Sequence, residues 1–192
     1  MRRINQQHNS PEVFNKKFNG TFGVSDMARH RALAKYFNGS VDDTYVDVGC
    51  HDSIMPALLA ERYPRSDIWA IDYANEVIEF LAPLFPSVHY IVGDAYSLPF
   101  KDNSVDYVVA GETIEHLEDP KKFIDEALRI LKPGGYLAIS TPWEELTKQP
   151  SIGGNLHSWT YSIDDIKELL GTEEVETIKE IRTTSIIAWR KK

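Results

Sequence analysis

From Tyr45 onward, short β-branched and apolar runs alternate with longer amphipathic segments, and this alternation restricts the possible folds more than any other property of the chain. Joining two parallel strands takes a crossover of a dozen or more residues, most often a helix, so repeated alternation predicts βαβ units around a parallel sheet. Strands are expected at about residues 45–48, 68–71, 89–92, 105–110 and 136–140, each ending in a polar or glycine-containing turn. Helices fall between and after them, at about residues 53–63, 75–84, 120–131 and 162–170. In the third of these, Phe123, Ala127, Leu128 and Leu131 repeat at helical spacing, and Lys132-Pro133-Gly134-Gly135 stops the helix at once. Two more extended stretches, at about residues 174–181 and 184–189, are close enough in sequence to pair antiparallel. The expected architecture is an α/β doubly wound sheet, mostly parallel with an antiparallel C-terminal strand and helices on both faces.

A length of 192 residues suits one domain, with residues 1–40 as an N-terminal cap containing a helix at about 25–37, and residues 141–161 as a substrate-side loop. No apolar run approaches the roughly 18 residues of a membrane span, and MRRINQQHNS has no apolar stretch behind its charges, so the expected location is cytoplasmic with no membrane partner. The single cysteine, Cys50, excludes an internal disulfide framework and a cysteine pair for zinc. A net charge of -8 disfavours nucleic acid as a partner, because phosphate backbones attract basic surfaces. The basic residues near the two ends, Arg2, Arg3 and Arg190 to Lys192, read as solvated tails.

In doubly wound sheets ligands bind beyond the carboxyl ends of the strands, so the turn after each strand carries the functional information. After the first comes Asp47-Val48-Gly49-Cys50-His51-Asp52-Ser53, where Gly49 permits a tight turn and Asp52 or Ser53 can cap the next helix. After the second, Asp72 lies where a carboxylate accepts both hydroxyls of a ribose, and Tyr73 offers a flat face to a purine. After the third, Gly93-Asp94-Ala95 brings an acceptor within reach of an adenine amino group, and after the fourth, Gly111-Glu112 opens a polar segment at the same edge. Singly, each feature is ordinarily only a turn or a helix cap. Together they are much less expected by chance.

With these residues in view, the sequence resembles the class I S-adenosylmethionine-dependent methyltransferases, in particular the methyltransferase domain 11 family. The likeness runs from about Tyr45 to Ser140 through VDVGC, IWAIDYA, VGDAYSLPF, VDYVVAGETIEHLEDP and LRILKPGGYLAIST. It implies a Rossmann-like fold, S-adenosyl-L-methionine as cofactor, and methyl transfer to an oxygen or nitrogen of a small-molecule acceptor. Residue by residue, it implies that Gly49 and His51 line the methionine and ribose part, that Asp72 holds the ribose hydroxyls with Tyr73 beside it, that Asp94 and the Ala95 amide read adenine, and that Gly111 borders the methionine end. The chain departs from the family where His51 and Ser53 replace the second and third glycines of the first loop. Histidine accepts a positive φ better than most residues, which lets the turn survive.

The cofactor's sulfonium is itself a strong electrophile, so the protein must align a nucleophile and exclude water, with a general base where the acceptor is a hydroxyl. His116 is the candidate for that base. Trp143, Trp159 and Tyr161 are candidates for lining an acceptor pocket, and Gly153-Gly154 for a turn in a covering loop. On a helical turn Glu112, Glu115 and His116 would share a face, and His157 would approach from the next loop. A similar set binds a divalent metal in the small-RNA 2′-O-methyltransferases, but EHLEDP-like segments also occur without metal, and no metal is assigned here. Two rival readings differ in class. A nicotinamide-dependent oxidoreductase would want G-x-G-x-x-G after the first strand, which is absent, and a non-catalytic binding module would explain the substituted glycines.

Overall fold

The computed structural model describes residues 24–51, 53–142, 161–172, 174–181 and 184–192. Among them, seven strands form one sheet in the order β3-β2-β1-β4-β5-β7-β6. The elements run α1 (Val24–Leu33), β1 (Thr44–Val48), α2 (Met55–Arg62), β2 (Asp67–Asp72), α3 (Asn75–Leu81), β3 (His89–Val92), β4 (Val105–Gly111), a 3-10 turn (Ile114–His116), α4 (Pro120–Ile130), β5 (Leu131–Pro142), α5 (Ile163–Leu170), β6 (Glu176–Ile181) and β7 (Thr184–Arg190). β1 to β5 pair in parallel, while β7 runs antiparallel to both β5 and β6. The expected mixed, doubly wound sheet is therefore present.

Alternation along the strands divides the core between the two faces. Val46, Val48, Val108, Ala110, Leu137 and Ile139 pack with Phe123, Ile124 and Ala127 of α4 and with Ile166 and Leu170 of α5. Tyr45, Ile68, Ala70, Tyr107, Val109 and Ala138 face the other way, against Leu33 of α1 and Met55, Leu59 and Ala60 of α2. A period-2 strand with both faces covered reads as an almost continuous apolar run, and the burial of Tyr45 through Val48 agrees.

The helices begin where the local chemistry lets them. Asp119 caps α4 by accepting from the Lys122 amide at 3.0 Å, with Pro120 at the first helical position. Ser162 and Asp165 form a reciprocal capping box on α5, and Gly171 closes that helix in the left-handed region. The expected start of α2 shifts: it opens at Met55 behind Ile54, and the Ser53 hydroxyl accepts from the Met55 amide at 3.3 Å. Asp52, the other expected cap, lies outside the described residues. Helix α1 ends at Leu33, short of Phe37, and α3 ends at Leu81, short of Leu84.

Two expectations are corrected outright. Lys132 to Gly135 do not separate helix from strand; they lie within β5, which starts at Leu131 directly after α4. A Cβ on Gly135 would stand 2.9 Å from the Asp106 carbonyl oxygen, so only glycine lets the two backbones approach there. Nor are Arg190 and Lys191 solvated tails. Arg190 donates to the Gly134 carbonyl and lies over the Tyr136 ring, and Lys191 Nζ donates to Asn103 Oδ1 and to the Leu128 and Leu131 carbonyls, each at 2.7 Å.

Candidate active site

The strand order reverses between β1 and β4, and the turns after β1, β2, β3 and β4 share the carboxyl edge around that point. Reversal sends neighbouring connections to opposite faces and leaves a crevice between them. The turn after β1 is left-handed at Gly49 (φ 73°) and again at His51 (φ 40°). A Cβ on Gly49 would come within 2.5 Å of the Thr113 hydroxyl, which is itself fixed by donating to the Val48 carbonyl at 3.0 Å. Gly49 and Cys50 both donate their amides to the Ile71 carbonyl, so this loop is laced to β2.

Asp72 ties the first two turns together. Its Oδ2 accepts from the His51 amide and its Oδ1 from the Ala74 amide, both at 2.9 Å, and the side chain is buried. Tyr73 beside it is 49% exposed. Asp94 is exposed, and its Oδ1 accepts from the Tyr96 amide at 2.8 Å, which shapes the turn that carries Ala95. Gly111 ends β4, and a Cβ there would meet Leu33 of α1 at 3.1 Å.

Several charged groups in this region carry no strong sequence signal. Asp47 is buried at the end of β1, and burial pushes its carboxyl up to about 7; the Ser53 hydroxyl and Arg29 pull against that, while Asp72 adds to it. Arg29, from α1, also lies 3.8 Å from Glu112. The N-terminal helix thus supplies a cation to acids at the carboxyl edge. VDV announces a strand but not how deeply its Asp is buried, and nothing local in ARHRAL marks Arg29.

The expected helical face of Glu112, Glu115 and His116 does not form. Glu112 precedes the turn, adopts a left-handed φ of 54°, and accepts from the Ser140 hydroxyl at 3.0 Å. Glu115 points inward and is fully buried, whereas His116 is half-buried on the same three-residue turn. Burial first, and the Glu112 charge second, hold the Glu115 carboxyl well above the usual carboxylate range. Among the described residues no three His, Cys, Asp or Glu side chains gather to hold a metal ion. His157, Trp143, Trp159 and Gly153-Gly154 lie outside the described residues, while Tyr161 is buried in the core under β5 and α5.

Residues 46–139 match a family described as "Methyltransferase domain". A probable S-adenosylmethionine-dependent methyltransferase of Mycolicibacterium smegmatis is 31% identical over 134 residues, which cover 68% of this chain and 51% of that protein. A malonyl-[acyl-carrier protein] O-methyltransferase of Methylococcus capsulatus is 33% identical over 99 residues, covering 50% of this chain and 36% of that one. The chain spans about half, or less, of the length of such curated relatives. Among solved structures, a SAM-dependent methyltransferase from Aquifex aeolicus superposes with a TM-score of 0.70 at 21% identity, covering 94% of this chain and 98% of that one. That likeness concerns the fold. No helix among the described residues is long and apolar enough to cross a membrane.

Proposed function

Because the chain belongs to the class I S-adenosylmethionine-dependent methyltransferases, whose cofactor is S-adenosylmethionine, we propose that it transfers the cofactor's methyl group to an oxygen or nitrogen nucleophile of a small-molecule acceptor. The observation that carries this reading is the lacing of two strand-end turns by one carboxylate, Asp72, at the reversal of the sheet. An ionised carboxylate has about four acceptor positions. Two backbone amides occupy only part of that capacity, so Asp72 fits the two hydroxyls of a ribose. Tyr73 stands beside the purine, and Asp94 with the Ala95 amide reads the adenine edge. Gly49 and His51 line the methionine and ribose part, and Gly111 borders the methionine end.

When bound, the cofactor supplies an electrophilic methyl on its sulfonium; the protein's share is alignment and exclusion of water. His116, half-buried beside the end of β4, is the candidate base for a hydroxyl acceptor. The net charge of -8 favours a small acceptor over a nucleic acid. Calorimetric titration with S-adenosylmethionine, S-adenosylhomocysteine and NAD tests the reading. The first two are expected to bind and NAD to leave the protein unchanged. Binding of NAD alone would support an oxidoreductase instead, and no binding of either sulfur compound at millimolar concentration would sink the reading.

A further inference from the structure

The strand register lines up Tyr45 of β1, Tyr107 of β4, Tyr136 of β5 and Arg190 of β7 in one row at the amino edge of the sheet, away from the candidate active site. Cross-strand partners point to the same face, so the row forms a ladder. Tyr45 and Tyr107 stack with centroids 5.8 Å apart, Tyr107 and Tyr136 lie 6.0 Å apart, and the Arg190 guanidinium stands 5.6 Å over Tyr136. The segment that follows α1 crosses this row, laying Tyr36 flat on Tyr136 at 4.8 Å and the edge of Phe37 against Tyr107 at 6.0 Å. Between that segment and the row is an open cavity of about 320 Å³, whose lining includes Tyr36, Phe37, Asp43, Asp106, Tyr136 and Arg190. Small-molecule sites run from roughly 300 to 1,000 Å³, so it has room for one small ligand.

The charged groups around the cavity differ in what they already hold. Asp106 is answered in full: its two oxygens accept from Lys132 Nζ at 2.9 and 2.7 Å, and Oδ2 also accepts from the Thr44 amide at 2.9 Å. The Asp43 carboxylate accepts only from the Ser40 amide, at 2.8 Å, and pairs with no cation among the described residues. Arg190 donates from Nε to the Gly134 carbonyl at 3.1 Å, and its two terminal nitrogens meet no carboxylate among those residues. A carboxylate and a guanidinium thus line one cavity without pairing with each other. A ligand with only a negative charge would suit Arg190 and be repelled by Asp43, and one with only a positive charge the reverse. A zwitterion answers both, the guanidinium fork taking its carboxylate and Asp43 its ammonium. The rings of Tyr36, Phe37 and Tyr136 favour an aromatic side chain beside those charges.

We propose that this cavity binds a free aromatic amino acid, held by Arg190 through its carboxylate and by Asp43 through its ammonium. The site lies at the opposite edge of the sheet from the turns assigned to the cofactor, and it stands independently of that assignment. The segment carrying Tyr36 and Phe37 continues from α1, whose Arg29 lies against Glu112 at the other edge, so one helix runs between the two sites.

The test titrates L-phenylalanine, 3-phenylpropionate and 2-phenylethylamine into the protein at pH 7, with and without S-adenosylhomocysteine, and follows binding by ligand-observed NMR. Phenylalanine is expected to bind at least about tenfold more tightly than either analogue, each of which lacks one of its charges. Its affinity is expected to be the same when S-adenosylhomocysteine is present. Asp43→Asn should remove its advantage over 3-phenylpropionate, and Arg190→Gln its advantage over 2-phenylethylamine, with the circular dichroism spectrum unchanged in both. Equal binding of the three probes to the unaltered protein, a comparison that needs no variant to fold, would overturn the site. So would an absence of phenylalanine binding at millimolar concentration, its displacement by S-adenosylhomocysteine, or advantages that survive the two substitutions.

Discussion

At the scale of single residues, Asp72 carries two duties that pull in the same direction. It anchors the amides of His51 and Ala74 and is assigned the ribose hydroxyls. Loss of a charged acceptor from paired donors costs on the order of 2 to 3 kcal/mol, so Asp72→Ala is expected to weaken S-adenosylmethionine binding more than about tenfold. Calorimetry should show Asp94→Ala weakening it less, since on the proposed reading the Ala95 amide also serves the purine. A near-normal affinity in a folded Asp72→Ala protein would refute the assignment. Asp47 makes a different prediction. Its folded value of about 7 lies above the ordinary 3.8, so the folded chain holds this proton more tightly than the unfolded chain does. Its contribution to stability is complete below about pH 4 and is lost as the pH rises through 7. Asp47→Asn, which cannot ionise, is therefore expected to raise the urea midpoint at pH 8 and to change it little at pH 4. The position of Asp72 and Asp94 at the carboxyl edge was legible in the sequence because each stands at or just after the end of a strand. The burial of Asp47 and Glu115 was not, because it depends on helices contributed by distant parts of the chain.

At the scale of elements, the loops after β1 and β4 determine each other's shape. Gly49 has room only because it lacks a side chain, and what occupies that room is Thr113, held by its bond to Val48. Gly49→Ala would force a Cβ into a hydroxyl 2.5 Å away at a φ of 73°. The expected cost is about 2 kcal/mol or more, measured as a lower denaturation midpoint, with cofactor affinity falling alongside. An unchanged midpoint would mean that the loop relaxes freely. Strand and helix order was readable from periodicity, since a two-residue repeat and a 3.6-residue repeat leave different patterns. Ends were less readable. β5 takes in Lys132 to Gly135, residues that would stop a helix, and its register with β4 shifts across them, where Gly135 passes close to the Asp106 carbonyl.

At the scale of the whole molecule, β7 inserts antiparallel between β5 and β6 and returns the chain to the edge opposite the candidate site. There Lys191 joins the loop at Asn103 to the last turn of α4 and the start of β5 through three hydrogen bonds. Lys191→Met keeps most of the length and removes the donors. It is expected to lower stability by about 1 to 3 kcal/mol in urea unfolding, because two backbone carbonyls lose a charged partner. Substrate turnover, once an acceptor is found, should be unaffected at temperatures where the variant is folded.

The laced first loop also makes the protein its own reporter. Cys50 is the single cysteine of the sequence, and it lies buried between Gly49 and His51 with its amide tied to Ile71. A thiol so placed meets an alkylating reagent only when the loop comes away from β2, so the rate of labelling by iodoacetamide counts those excursions. Bound S-adenosylhomocysteine should slow that clock in proportion to its occupancy, by mass action on the closed loop. Labelling that is fast and indifferent to the ligand would mean that the cofactor does not grip the segment where Asp72 meets His51.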